Sequence, residues 1–189
     1  RITHLPPAVG KLAGTFGATF LLDACQSFGQ LPVDVRQIGC DLACGTGRKW
    51  LRAPRGTGFL YARRGALPAG APGGAPVASL VGEPPAIDHS AARWTAARAY
   101  ERQPGARRYE MWELSVANRL GLAVAVRECN RVGPGRIARR SAELANRLRN
   151  GLRVIRGVEF RDGTGREEEV LRSGGGPLSA IVTFEVETA

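Results

Sequence analysis

The stretch Leu21–Tyr61, LLDACQSFGQLPVDVRQIGCDLACGTGRKWLRAPRGTGFLY, decides the fold. Its first residues continue an apolar, β-branched run from Thr19 to Leu22 that stops at a carboxylate, Asp23. Such a run is predicted to be a buried strand. In an open α/β sheet ligands gather outside the carboxyl ends of strands, so Asp23 is expected where a ligand would sit. Gln30-Leu-Pro-Val-Asp34 reads as a turn or extended link, Val35 to Gly39 as a short helical turn, and Cys40 to Cys44 as another strand. A Gly-rich turn ending in two cations, Gly45-Thr-Gly-Arg-Lys49, comes next. Pro54-Arg-Gly-Thr-Gly58 is a second turn, and Phe59 to Ala62 a strand after it.

Outward from this stretch the signals weaken. Arg1 to Leu5 reads as the end of a strand stopped by Pro6-Pro7, since proline supplies no ladder donor. Val9 to Gly17 is short for a helix and carries three glycines. Gly65 to Pro85 is a Pro/Gly-rich surface loop without a periodic apolar face. Ile87 to Gln103 holds Trp94 and Tyr100 but no clean period, and Pro104-Gly105 breaks it. Tyr109 to Asn130 is predicted to be a helix with Met111, Leu114, Ala117 or Asn118, Leu120 or Gly121, and Val124 along its apolar stripe. Gly133-Pro134-Gly135 ends it and opens a second helix, Arg136 to Ile155. There Ile137, Leu144, Leu148, Leu152 and Ile155 share one face, and arginines occupy an opposite face expected to be solvated. Val158 to Phe160 and Ser179 to Val186 read as strands joined by the span around Gly174-Gly-Gly176. Helix, helix and two strands make a small α+β unit. The expected division is residues 1–114 for an α/β domain and 115–189 for a linking helix and small domain.

Composition narrows the classes. The chain has 189 residues and is 43% hydrophobic, ordinary for a globular protein. No apolar run approaches the roughly 20 residues of a membrane span. The first residues lack the charged-then-apolar build of a secretory signal, and the only Met is Met111. The expectation is a cytoplasmic protein with no membrane partner. A net charge of +10 invites a nucleic-acid partner. The cations, however, are 25 Arg and only 2 Lys, Lys11 and Lys49, which reads as a general Arg bias rather than a phosphate-binding surface. Lys49 gains weight from that scarcity, because Arg replaces Lys as a surface cation but cannot form an imine. The cysteines Cys25, Cys40, Cys44 and Cys129 form no C-x-x-C pair, so reduced thiols and no metal site are expected.

The residue types in the central stretch match one cofactor, pyridoxal 5'-phosphate. Its aldehyde needs a lysine amine for a Schiff base, which Lys49 offers. Its ring nitrogen needs a carboxylate that keeps it protonated, which Asp23 offers. Its phosphate needs hydroxyls, a cation and backbone N–H groups at a turn, which Thr46, Arg48 and the glycines around them offer. GTGRKW does not meet the nucleotide phosphate-loop pattern, since one residue separates its glycines and Trp50 follows the lysine.

In combination these elements resemble the class V aminotransferase family of fold-type I pyridoxal phosphate enzymes, which includes cysteine desulfurases and related lyases and epimerases. The resemblance rests on Asp23-Ala-Cys-Gln26-Ser27, Leu31-Pro-Val-Asp34, Cys40-Asp41, Thr46-Gly-Arg-Lys49 and Pro54-Arg-Gly-Thr-Gly58, in the family's order and spacing. It implies a partial α/β large domain, a small α+β C-terminal domain, an amino-acid substrate and a homodimer for the full-length enzyme. By the resemblance Lys49 is the Schiff-base lysine and proton shuttle, and Asp23 pairs with the pyridine nitrogen. Gln26 bonds the cofactor's phenolic oxygen, while Thr46 and Arg48 hold its phosphate. Arg108-Tyr-Glu110 resembles the family's later Arg-x-Glu element, with Trp112-Glu113 where Gly-Thr often follows. The resemblance also implies that this chain corresponds to about the latter half of the family's length. A desulfurase needs a nucleophilic cysteine on a C-terminal loop. Cys129 falls within a predicted helix and the other three cysteines lie inside the cofactor motifs, so none is a natural persulfide carrier. Trp112-Glu113 leans toward the lyase- and epimerase-like branches, and amino transfer, C–S lyase and epimerase chemistry are all expected candidates. Two rivals are a truncated, inactive remnant that binds no cofactor and an Arg-rich nucleic-acid-binding module.

Overall fold

In the computed structural model, which describes residues 6–63, 84, 86–161 and 179–187, the stretch around Asp23 forms a three-stranded sheet of order β1-β2-β3. β1 (Leu21–Asp23) runs parallel to β2 (Leu42–Thr46), and β3 (Gly58–Ala62) runs antiparallel to β2. The register sets Asp23 opposite Cys44, and Thr46 opposite Gly58. The crossover between the parallel strands contains one short helix, and a longer one, α1 (Pro6–Thr15), lies upstream. The short helix is α2 (Val35–Ile38), whose first N–H groups are satisfied by the Asp34 carboxylate: Arg36 N–H donates at 2.9 Å and Gln37 N–H at 3.2 Å. Gly39 closes it in the left-handed region, at φ 72°.

Ile38, Cys40 and Ala43 form the buried centre, with Phe20, Leu22, Val33, Val35 and Tyr61 packed against it. Asp41 fastens the same corner: one carboxylate oxygen accepts from Phe20 N–H at 2.8 Å and the other pairs with Arg63. β1 is not the buried strand expected. Leu21 and Asp23 are exposed because β1 stands at the sheet's edge among the described residues, and β2 is the covered strand.

Upstream, the glycine-bearing segment judged short for a helix is α1 (Pro6–Thr15). Pro6 opens it, where a missing N–H costs nothing, and Gly10 lets it lie against α2, since a Cβ there would stand 1.9 Å from the Ile38 carbonyl oxygen. The aperiodic segment after Ile87 is a hairpin, β4 (Ala92–Ala96) and β5 (Ala99–Arg102), irregular between Trp94 and Ala96. That irregularity explains the missing period. Asp88 ties its base to the following segment by accepting from Ser90 N–H at 2.8 Å and Trp112 N–H at 2.6 Å. The expected strand at Arg1–Leu5, most of the loop from Gly65 and the span around Gly174 lie outside the described residues.

A 3₁₀ turn, Gly105–Tyr109, precedes α3 (Val116–Val132), which Ser115 caps. α3 therefore starts later than Tyr109, and the predicted stripe packs through its alternatives Asn118 and Gly121 rather than through its large apolar residues. Met111, Leu114, Leu120 and Val124 are exposed, while Cys129 is buried. Gly121 sets the approach, since a Cβ there would stand 2.7 Å from the Pro54 ring, and Asn118 Nδ2 donates to the Arg55 carbonyl at 3.2 Å. α4 (Pro134–Arg153) repeats the lesson: Ala138, Ala145 and Arg149 are buried, while Leu144 and Leu148 are exposed. The arginine face expected in solvent thus contains a cation only 1% exposed. Arg149 donates to Asn146 Oδ1 at 3.1 Å and to the Ser179 and Ile181 carbonyls at 3.4 Å, which is how its charge is tolerated inside. β6 (Val158–Phe160) and β7 (Phe184–Val186) pair antiparallel beyond it.

Candidate active site

Asp23 is the last residue of β1, and Ala24 N–H still bonds the Cys44 carbonyl at 2.9 Å, so the carboxylate leaves the sheet from a fixed backbone. The chain then turns sharply, with Ser27 and Phe28 N–H groups donating to the Ala24 carbonyl. The turn aims Cys25 N–H at Asp23 Oδ1, at 2.9 Å. That bond, then the Cys25 thiol, hold Asp23 below the usual carboxylate range against the opposing effect of burial, and the field of the Lys49 ammonium adds a lesser share. Asp23 is therefore charged at neutral pH and stands within the electrostatic reach of Lys49.

Lys49 lies on the turn after β2, and glycines shape that turn. A Cβ at Gly45 would stand 2.4 Å from the Phe59 ring, and one at Gly47 would stand 2.2 Å from Thr57 Oγ1. Gly47 N–H donates to the Thr57 carbonyl and Ala53 N–H to the Gly47 carbonyl, both at 2.9 Å, while Arg52 N–H closes the turn on the Lys49 carbonyl at 3.0 Å. Arg52 itself sits at φ 60°. Lys49 is half-buried and, among the described residues, its ammonium has no hydrogen-bond or ion-pair partner.

Gln26 is held toward this turn: its Oε1 accepts from Trp50 Nε1 at 3.3 Å, the residue beside Lys49. Thr46 shares a face of β2 with Cys44, since side chains alternate along a strand. Its hydroxyl makes a long 3.4 Å bond to the Thr57 carbonyl. Arg48 is exposed and joined to none of the others among the described residues. The structure thus brings Asp23, Gln26 and Lys49 together and keeps Thr46 on the adjoining strand end, with Arg48 outside. Arg108-Tyr-Glu110 lies in the 3₁₀ turn against β3; the Tyr109 hydroxyl is buried there without a partner and Glu110 pairs with Arg119 at 3.8 Å. A largely apolar cleft of about 400 Å³ between Phe28, Leu51, Phe59 and α3 is separate, as neither Asp23 nor Lys49 lines it.

Two residues that motif reading missed support the site. Trp50 orients Gln26. Gln30, only 2% exposed, donates through Nε2 to the Gln26 carbonyl and accepts at Oε1 from Ala180 N–H at 3.0 Å. A glutamine in a turn gives no sign of such a role. The donor set fits pyridoxal phosphate: a charged carboxylate at a strand end, a lysine amine without a competing partner, and an amide and hydroxyl beside them.

Comparison with known proteins gives the same answer over most of the chain. Residues 4–172 match the model of the family described as aminotransferase class-V. A probable cysteine desulfurase of Methanothermobacter thermautotrophicus is 30% identical over 154 residues, which are 80% of this chain and 35% of that one. Probable cysteine desulfurase 2 of Mycobacterium leprae is 31% identical over 169 residues, 88% of this chain and 35% of its own. The apo cysteine desulfurase of Thermococcus onnurineus NA1 superposes with a TM-score of 0.80 at 26% identity, covering 100% of this chain and 42% of that chain. The chain spans about a third of the length of the curated relatives it matches, less than the latter half its motifs imply. Motif order, strand topology and the family match agree, and the chain belongs to the aminotransferase class-V family of pyridoxal phosphate-dependent enzymes.

Proposed function

We propose that the protein to which this chain belongs acts on an amino-acid substrate with pyridoxal phosphate held on Lys49. The observation that carries this reading is the partnerless Lys49 amine within electrostatic reach of a carboxylate that its own turn keeps charged. The bound cofactor would supply an electron sink for bond breaking at the substrate's α- or β-carbon. Asp23 would hold a positive charge on the cofactor's ring nitrogen, and Gln26, steadied by Trp50, would donate from its amide to the ring's oxygen. Lys49 would take and return the proton at the α-carbon, while Thr46 and Arg48 would meet the phosphate by rotating a weakly bonded hydroxyl and an exposed cation into place.

Among transamination, epimerisation and C–S cleavage, C–S cleavage is the reading favoured by relatives named cysteine desulfurases. Cys40 and Cys129 are buried, and Cys25 and Cys44 flank Asp23, so none of the four is placed as a persulfide carrier; a simple C–S lyase reaction needs none. Neither the inactive remnant nor the nucleic-acid module is favoured by any observation of the fold. The test is to add pyridoxal phosphate to the chain, reduce with borohydride and map the modified residue. Labelling at Lys49 that is lost in Lys49→Ala supports the reading. No labelling, or labelling mainly at Lys11, refutes it.

A further inference from the structure

Parallel pairing of β1 with β2 sets Asp23 opposite Cys44, and the turn after Asp23 brings Cys25 back over the same strand end. As a result one carboxylate oxygen and the two sulfurs of Asp23, Cys25 and Cys44 lie within 4.8 Å of one another. We propose that these three side chains form a binding site for a thiophilic divalent cation, zinc or cadmium, that shares Asp23 with the cofactor site.

The donor set is two sulfurs and one oxygen, which selects zinc or cadmium over magnesium or calcium. A tetrahedral zinc with bonds of about 2.3 Å to sulfur and about 2.0–2.2 Å to oxygen needs its donors roughly 3.5–3.8 Å apart. The present spacing reaches that by a small closing of side chains, with no change of strand pairing. A fourth position stays open to water, because Asp23 is exposed and both thiols are only half-buried. Cys25 N–H on Asp23 Oδ1 fixes the carboxylate from behind, as an outer partner steadies a ligand. Each thiol that a divalent ion takes as thiolate releases one proton to solvent. The linear spacing hides the site, since Cys25 and Cys44 are distant in the chain and meet only through the sheet.

Cation binding does not depend on the proposed function; only the sharing of Asp23 does. The test is a cadmium titration of the chain without cofactor, read by the ultraviolet cadmium–thiolate charge-transfer band, on wild type, Cys25→Ser, Cys44→Ser, the double variant carrying both serines, and Asp23→Asn. The expected result is one equivalent bound by wild type, loss of the band in the double serine variant, and affinity at least tenfold weaker in each single variant. The serine variants must keep the wild-type circular dichroism spectrum. No band in wild type, or an unchanged band in a folded double serine variant, overturns the site. A second arm preloads the chain with zinc and repeats the borohydride labelling. Reduced labelling at Lys49 supports the sharing of Asp23, and unchanged labelling overturns that part. Absence of labelling without any metal is a failure of the cofactor reading alone, because the cadmium band is measured without cofactor.

Discussion

Gln30 offers the most direct way to ask whether the site's wall is braced from the far end of the chain. Its amide spans two segments, donating to the Gln26 carbonyl and accepting from Ala180 N–H at 3.0 Å. Ala180 is in turn flanked by the two carbonyls that take hydrogen bonds from the buried Arg149. Gln30→Met keeps most of the volume and removes both bonds. A net loss of about 1 kcal/mol per bond, rising toward about 2 where the abandoned group stays dry, puts the cost at roughly 2–4 kcal/mol. Gln30→Ala removes three further heavy atoms of volume and should cost about 2 kcal/mol or more beyond Gln30→Met. Urea unfolding followed by circular dichroism measures both losses, and amide exchange at Ala180 measures the bond directly. If Gln30→Met falls within about 0.5 kcal/mol of wild type and Ala180 exchange is unchanged, the brace does not exist and Gln30 is only a filler.

Other perturbations probe the turn and the charge. Gly29→Ala should cost about 3 kcal/mol or more, because φ is +88° and the new Cβ would stand 2.5 Å from the Trp50 carbonyl carbon, a backbone atom. Gly56→Ala, at φ +78° with open space around it, should cost only about 1–2 kcal/mol, so thermal unfolding of the pair separates strain from collision. Asp23 is lowered in the folded chain, so its contribution to stability is present above the ordinary aspartate value and is lost as pH falls through the lower folded value. Wild type should therefore exceed Asp23→Asn in stability at neutral pH, with the gap closing only on the acid side of about pH 4. A gap that closed between pH 5 and 7 in urea unfolding would contradict this.

The central stretch was legible because its signals are local. A strand-ending Asp, a turn that only glycine fits and one of just two lysines in an Arg-rich chain each reflect the chemistry of one position. The short helix α2 follows from the same short range, whereas the Asp34 cap and the order of the strands were not read from it. The helices were legible as helices but less so by face. Periodicity assigns burial to the largest apolar residues, whereas α3 packs through Gly121 and Cys129, and α4 through Ala138, Ala145 and Arg149. Close approach selected small residues there, and Arg149 stays inside because carbonyls from beyond β6 meet it, a contact no window of sequence contains. Gln30 was illegible for the same reason. Its partner Ala180 comes from the other end of the chain.

These contacts also bear on how the site keeps its geometry. Asp23 and Lys49 are not joined by a salt bridge among the described residues; each is set by backbone, the one by β1–β2 pairing and Cys25 N–H, the other by bonds from the turn to Thr57 and Arg52. A site built this way does not spend its reactive groups on holding itself together. Lys49 keeps its amine and Asp23 keeps accepting capacity beyond the bonds from Cys25, which is what reversible attachment of a charged cofactor requires. The same economy exposes the site to competition. A carboxylate kept charged beside two thiols has no internal cation bound to it, and either the cofactor ring or a thiophilic metal satisfies it. Separation of those two outcomes rests on Cys25 and Cys44, which take no part in the proposed cofactor chemistry. Replacing both by serine should therefore leave Lys49 labelling intact while removing its sensitivity to zinc, and labelling that stayed zinc-sensitive in that variant would place the competing metal elsewhere.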